Sequence, residues 1–382
     1  MKISALLLTL FLLACNTNKT IHTPQTPAIP KPLNTQKDNT AKNIIFLIGD
    51  GMGIGQITAG TYSNGNTSHL ERFPVIGLHK PYSGDDLITD SAAAATSFAT
   101  GFKTFNGAIG VDLDTLPVET ILEEAEKKGL KTGLVATSTI VHATPASFIA
   151  HNKSRRNYEE IAVDFLDTEI DFFVGGGKKF FDRREDERNL VDELSANGYT
   201  MGNYLTDLDE FKAASTNATK LGYLTADADP LPAAQGRDYL EEAAMYGIEF
   251  LDKQAENGFF IMIEGSQIDW GGHANNSNYI ITEFLDFNET IGRVMDWAEK
   301  DGETLVIVTA DHETGGYTIQ PGSTQDTLIT AFTSEKHSGD FINVFAYGPG
   351  SEKFGGIYNN TDIYEKMRAA YGWEKRLSLI HI

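Results

Sequence analysis

The sequence predicts an α/β fold, a three-layer α/β/α sandwich around a mostly parallel central sheet, on three observations. Short, nearly continuous apolar runs recur at residues 43–49, 131–136, 171–174, 259–263, 304–309 and 341–347. Runs of that length without polar alternation suit strands buried on both faces, as in parallel sheets. Between them lie helical stretches, 117–129 marked by its termini and 237–258 and 277–302 by apolar residues at helical spacing, and strands alternating with such helices build a layered α/β sheet. Acidic and histidine residues follow three of the apolar runs: Asp50 in IIFLIGDGMG, Asp269 and His273 in EGSQIDWGGH, Asp311 and His312 in VIVTADHETGG. His337, in KHSGD, stands only before Ser-Gly. Ligands of open α/β sheets collect at the carboxyl ends of strands.

From the N-terminus, residues 1–15 (MKISALLLTLFLLAC) carry one lysine, an apolar run too short to span a bilayer, and a small residue before a cysteine. That is the pattern of a secretory signal. LLAC resembles a bacterial lipobox, which implies lipidation of Cys15, a membrane anchor through that lipid and a periplasmic location; the alternative is a cleavable signal in which Cys15 is incidental. Asn16, where inner-membrane retention commonly uses aspartate, favours the outer membrane. Cys15 is the only cysteine, so no disulfide forms within the chain.

Residues 16–42 are rich in Thr, Pro, Asn and Lys and read as a flexible tether in which His22 is inert. No linker interrupts residues 43–382, which read as one domain. The 117–129 helix has Pro at its start and Gly at its end, the usual asymmetry of helix termini. Residues 182–230 are polar and weakly patterned, either a surface excursion or partial cover for the site.

Against 31 Lys and Arg stand 53 Asp and Glu, a formal charge of −22. Such a surface repels nucleic acid at long range and argues against a DNA or RNA binder. It does not exclude an anionic substrate, because bound metals and an arginine reverse the field locally.

Asp, Glu and His converging at strand ends would hold more than one divalent metal, which points to metal-assisted hydrolysis. Asp269 and His273 lie four apart, suited to one helical turn or a tight loop. Glu264 ends a buried strand, where an unpaired charge is costly and calls for a cation. In DSAAAATSFATG, Ser91 precedes an alanine-rich run, which puts a hydroxyl at a helix N-terminus that favours an anion. Taken alone, Ser91 also reads as a plain N-cap. His151 reads as a structural residue on a helix, and His69 and His79 have no ligand context.

GDGMG at Asp50, DSAAAATSFATG at Ser91, HATPASF with an arginine beyond it, EGSQIDWGGH and TADHETGG occur together in one order and spacing. In these motifs, over residues 43–350, the chain resembles the alkaline phosphatases, and compact bacterial members most. The resemblance implies hydrolysis of small phosphate monoesters to alcohol and inorganic phosphate through a phosphoserine on Ser91. It implies two Zn2+ ions, one on Asp269, His273 and His337 and one on Asp50, Asp311 and His312. It implies one Mg2+ on Asp50, Thr144 and Glu264, where hard oxygen ligands suit that ion. Family spacing from Thr144 selects Arg155 over Arg156 as the phosphate clamp. His142 and Trp270 stand where some members carry aspartate and lysine. A histidine that can charge and a neutral indole there imply weaker magnesium retention and faster phosphate release. A homodimer is left open.

Two competing readings are weighed. A phosphodiesterase, sulfatase or phosphomutase would keep the metal core, but Ser91 in DSAAAAT and a clamp arginine favour monoesters. A catalytically silent lipoprotein that stores metal or binds phosphate would lack a nucleophile or ligand, and none is missing. The leaving group of the substrate is not legible.

Overall fold

The computed structural model describes residues 39–324 and 326–374; the signal, Cys15, His22 and nearly all of the tether lie outside the described residues. Its strands β1 (Asn43–Gly49), β2 (Val75–Lys80), β3 (Lys131–Thr139), β4 (Phe172–Gly176), β5 (Tyr199–Asn203), β6 (Lys220–Leu224), β7 (Phe259–Gly265) and β8 (Thr304–Thr309) join two later ones, Ile342–Tyr347 and Gly356–Asn359, in a ten-stranded sheet. The order is Gly356–Asn359, β2, Ile342–Tyr347, β8, β1, β7, β3, β4, β6, β5. Pairings from β8 through to β5 are all parallel. Ile342–Tyr347, expected among the parallel strands, runs antiparallel to both β8 and β2.

Every residue of β1, β7 and β8 is buried, which is why these strands read as unbroken apolar runs. Successive side chains point to opposite faces. Ile44, Phe46 and Ile48 join one apolar core with Ala92, Ala95 and Phe98 of the Ser91–Thr100 helix. Ile45 and Leu47 join the other, with Ile248 of the Leu240–Asp252 helix and Phe284, Phe287 and Ile291 of the Ser277–Asp301 helix. Helices on both faces of one sheet make the expected three layers.

Three expectations need correction. The helix placed at 117–129 begins at Ile121, because Thr120 and Glu123 form a capping box that outweighs the proline signal at Pro117. Residues 182–230 are neither an excursion nor only a cover: they supply β5, β6 and the helices Leu190–Ala196 and Leu208–Ala214, extending the sheet beyond β4. Strands of five residues, one of them half-exposed at the sheet edge, carry too little apolar signal to be read. His151 lies past the Ala143–Ala146 helix, on no helix at all.

Candidate active site

The four central strands β8, β1, β7 and β3 are neighbours, and their parallel pairing brings their carboxyl ends level. Ile48 pairs with Glu264 on one side and with Thr309 on the other, and Glu264 pairs with Ala136. Asp50, Glu264, Asp311 with His312, and Thr144 beyond β3 are thereby gathered from sequence positions up to 262 apart. Asp50 is turned inward by Gly51, whose φ of +71° few side chains tolerate. A Cβ on Gly51 would sit 2.6 Å from the Asp269 Cα, so the loop packs this closely only with glycine.

Two groups of three result. Asp269, His273 and His337 offer one ligand atom each within 4.8 Å of one another, and so do Asp50, Asp311 and His312. Asp269 and His273 lie on a single helical turn, Ile268–His273. The His312 and His337 rings stack at 3.5 Å, so the groups share a wall.

Each histidine is held by Nδ1 and presents Nε2. His273 Nδ1 bonds the Glu335 carbonyl at 2.6 Å and His337 Nδ1 the Thr89 carbonyl at 2.8 Å. The Thr314 hydroxyl donates to Asp269 Oδ1 and therefore accepts from His312 Nδ1, 3.2 Å away. A ring that donates from Nδ1 leaves Nε2 as the atom that can bind a metal.

Ser91 opens the Ser91–Thr100 helix, but Asp90 is its N-cap, accepting from Ala93 N at 3.0 Å. The serine hydroxyl is thus free of the capping role and lies 3.4 Å from His312 Nε2 and 3.5 Å from Arg155 Nη1. Asp90 Oδ2 also binds Arg155 Nη1 at 3.0 Å, and Gly107 N anchors the other Asp90 oxygen at 3.1 Å. Arg156 is exposed. His142 Nε2 accepts from Arg155 Nη2 at 3.4 Å, and its ring meets Trp270 edge-on.

Buried carboxylates without counterions dominate the electrostatics. Both Asp50 oxygens, Asp311 Oδ2, Glu264 Oε1 and Thr144 Oγ1 are buried without a hydrogen bond. Burial, then the charges of Asp311, Asp269 and Glu264, hold the Asp50 carboxyl well above its usual range. Burial pushes Glu264 up to about 8 and Asp311 up to about 6. Burial opposes ionisation of Asp269 too, but its bond to His273 and the nearby His312 and His337 hold it low. Orphaned buried oxygens of this kind are what a divalent cation satisfies, so the donor set fits metal. His142, expected to be able to charge, is kept neutral: burial, then Arg155, lowers it to about 3.

Of the residues read from sequence, Asp50, Ser91, Thr144, Arg155, Glu264, Asp269, His273, Asp311, His312 and His337 gather at the strand ends with His142 and Trp270. His79, read as incidental, is a buried structural residue whose Nε2 bonds the Ala310 carbonyl at 2.9 Å. Asp90, Thr314, Ser138 and Ser266 were missed. Asp90 stands three residues before Ala93 as an N-cap must; the others carry no local signal.

A model of the alkaline phosphatase family matches residues 41–330 and 325–373. The chain belongs to that family. It is 37% identical over 372 residues to alkaline phosphatase 3 of Bacillus subtilis (strain 168), covering 93% of this chain and 76% of the relative. It is 32% identical to alkaline phosphatase of Escherichia coli (strain K12), covering 91% and 89%. Among solved structures, alkaline phosphatase from the Antarctic bacterium TAB5 superposes with a TM-score of 0.84 at 44% identity, covering 88% of this chain and 99% of that one. A histidine-to-aspartate variant of the TAB5 enzyme has been solved with Mg bound in its M3 site. Like the named members of the family, the chain is an enzyme, a phosphoric monoester hydrolase.

Proposed function

We propose that the chain hydrolyses phosphate monoesters through a phosphoserine on Ser91. The observation that carries this is the Ser91 hydroxyl at a helix N-terminus, released from capping by Asp90 and set between Arg155 and the two metal-ready groups. Asp269, His273 and His337 would hold one zinc ion, and Asp50, Asp311 and His312 the other. Asp50, Thr144 and Glu264 would hold magnesium, the ion bound in the M3 site of the related TAB5 variant. When bound, these ions supply Lewis acidity and lower the pKa of hydroxyls and water nearby.

The chain's own groups do the rest. Arg155 offers parallel N–H donors to two phosphoryl oxygens, held in aim by Asp90 and His142. Amides at the start of the Ser91–Thr100 helix add donors toward the same anion. Ser91 Oγ attacks phosphorus, the bond to the leaving oxygen breaks, and the alcohol departs. Water then cleaves the phosphoserine, regenerating Ser91 and releasing phosphate. These groups grip the phosphoryl unit, so a broad range of leaving groups follows. The N-terminal sequence adds a proposal of export with a lipid on Cys15.

The test uses protein from Asn16 onward against p-nitrophenyl phosphate, the bis(nitrophenyl) diester and the nitrophenyl sulfate. Each is assayed before and after EDTA, with zinc and magnesium restored. Monoester turnover lost to EDTA and recovered with metals is expected. Preference for the diester or sulfate would overturn the substrate class, and no turnover in metal-replete protein would overturn the enzyme reading.

A further inference from the structure

Glu264 is fully buried near the carboxyl end of β7, and its two oxygens are treated differently. Oε2 accepts from Ser266 Oγ at 2.6 Å and from Ser138 Oγ at 3.4 Å. Oε1 has no hydrogen-bond partner. The same is true of Thr144 Oγ1 and both Asp50 oxygens.

Neither serine is placed by chance of rotation. Ser266 sits in the turn between β7 and the Ile268–His273 helix, and its backbone N–H donates to Thr137 Oγ1 at 2.8 Å. That bond ties the turn to β3, so the Ser266 hydroxyl approaches Glu264 from a fixed direction. Ser138 lies on β3 itself and shares its proton between Glu264 and the Thr139 carbonyl, 3.2 Å away. Both side chains are buried, and neither has a hydrogen bond to Ser91 or Arg155.

An unrestrained carboxylate can rotate or chelate with both oxygens. One oxygen engaged by a short charge-assisted hydroxyl bond leaves a single oxygen in a set direction. Small ions that demand near-octahedral geometry at short distances are sensitive to that restriction, more so than ions tolerating irregular shells.

We propose that Ser266, with Ser138 as a weaker support, is a positioning residue that turns Glu264 so that Oε1 alone faces the cation site shared with Asp50 and Thr144. The inference rests on reading that oxygen-rich corner as a divalent-cation site. A purely structural role, in which the serines merely satisfy a buried carboxylate, makes a different prediction: it would lower the stability of metal-free protein and leave cation affinity alone.

The experiment is calorimetric titration of Mg2+ into full-length protein stripped by chelator and reloaded with zinc. Wild type is compared with Ser266→Ala and Ser138→Ala, and zinc content and metal-free thermal midpoints are measured in parallel. Ser266→Ala is expected to weaken Mg2+ binding about tenfold at unchanged zinc content, and Ser138→Ala about twofold to threefold. Wild-type Mg2+ affinity in Ser266→Ala, with or without a fall in the metal-free midpoint, overturns the proposal. If Ser266→Ala fails to fold, Ser138→Ala decides, and unchanged affinity there overturns it. Wild type that takes up no Mg2+ overturns the underlying reading of the corner instead, so the two failures are told apart.

Discussion

Two regions of this molecule bury acidic and histidine side chains, and they are built on opposite rules. Around the Ile121–Lys127 helix the chain supplies its own countercharge. Arg368 grips Glu124 with two bonds, Nε to Oε2 at 2.8 Å and Nη2 to Oε1 at 3.1 Å, and Tyr364 adds a third at 2.9 Å. His151 uses both ring nitrogens, on the Gly110 carbonyl at 2.6 Å and on Glu123 at 3.0 Å. At the strand ends hydrogen bonds are withheld: both Asp50 oxygens, Glu264 Oε1 and Asp311 Oδ2 have none, the nearest ring nitrogen to Asp311 and Asp50 being His312 Nε2 at 3.2 and 3.6 Å, and His273, His312 and His337 keep Nε2 turned inward. Glu124 is buried like the strand-end carboxylates, whereas Glu123 and His151 are half-buried. What separates a structural cluster from a candidate site is the deficit of internal partners.

The comparison is broken most directly by removing one member from each side. Ser91→Ala should lower turnover of p-nitrophenyl phosphate by about 10³-fold or more while leaving the thermal midpoint within a few degrees. A variant keeping a tenth of the activity would place the nucleophile elsewhere. Arg368→Ala should do the reverse, costing about 3 kcal/mol in urea unfolding because buried Glu124 loses both guanidinium bonds and keeps only the Tyr364 hydroxyl and Lys128, 3.9 Å away. Its kcat should stay within twofold of wild type. A loss of activity in folded Arg368→Ala would show that the two regions are coupled.

A smaller effect sharpens the contrast within the site. His142 is neutral and lends Arg155 a single acceptor. His142→Asp adds an anion beside the oxygen-rich corner, so Mg2+ affinity should rise about tenfold by calorimetry, with slower phosphate release. Unchanged affinity would mean that His142 does not communicate with the corner.

The smallest effect concerns pH. Burial opposes protonation of His151, but the bonds to Glu123 and the Gly110 carbonyl win, and its pKa is raised. A raised value means the stabilisation is complete below the unfolded-state pKa of about 6.5 and fades as pH climbs through the folded value. The midpoint gap between wild type and His151→Gln should therefore narrow as pH rises from 6 through the alkaline range. A gap independent of pH would show that the His151 bonds do not depend on its charge.

Much of this was legible because the chemistry sits where periodicity is strongest. Asp50 and Asp311 follow seven- and six-residue strands buried throughout, so an apolar run ending in a carboxylate marked them. Asp269 and His273 were legible through a four-residue spacing that one helical turn satisfies. β2, β5 and β6 were not: β2 and β5 have mixed exposure, and β6, though mostly buried, is only five residues long, too short for a clear pattern. The protonation state of His142 was also hidden, since it depends on burial and on Arg155, thirteen positions away.

By itself the sequence determined the layered fold and the identity of the chemical groups, because strand burial and residue type are local properties. Only the tertiary structure decided which of those groups lack partners. Thr314 joins His312 to Asp269, 45 positions away in the chain, and Ser138 reaches Glu264 across 126. A hydrogen bond is directional and extends about 3 Å, so whether it forms depends on strand register and turn geometry that no local window contains.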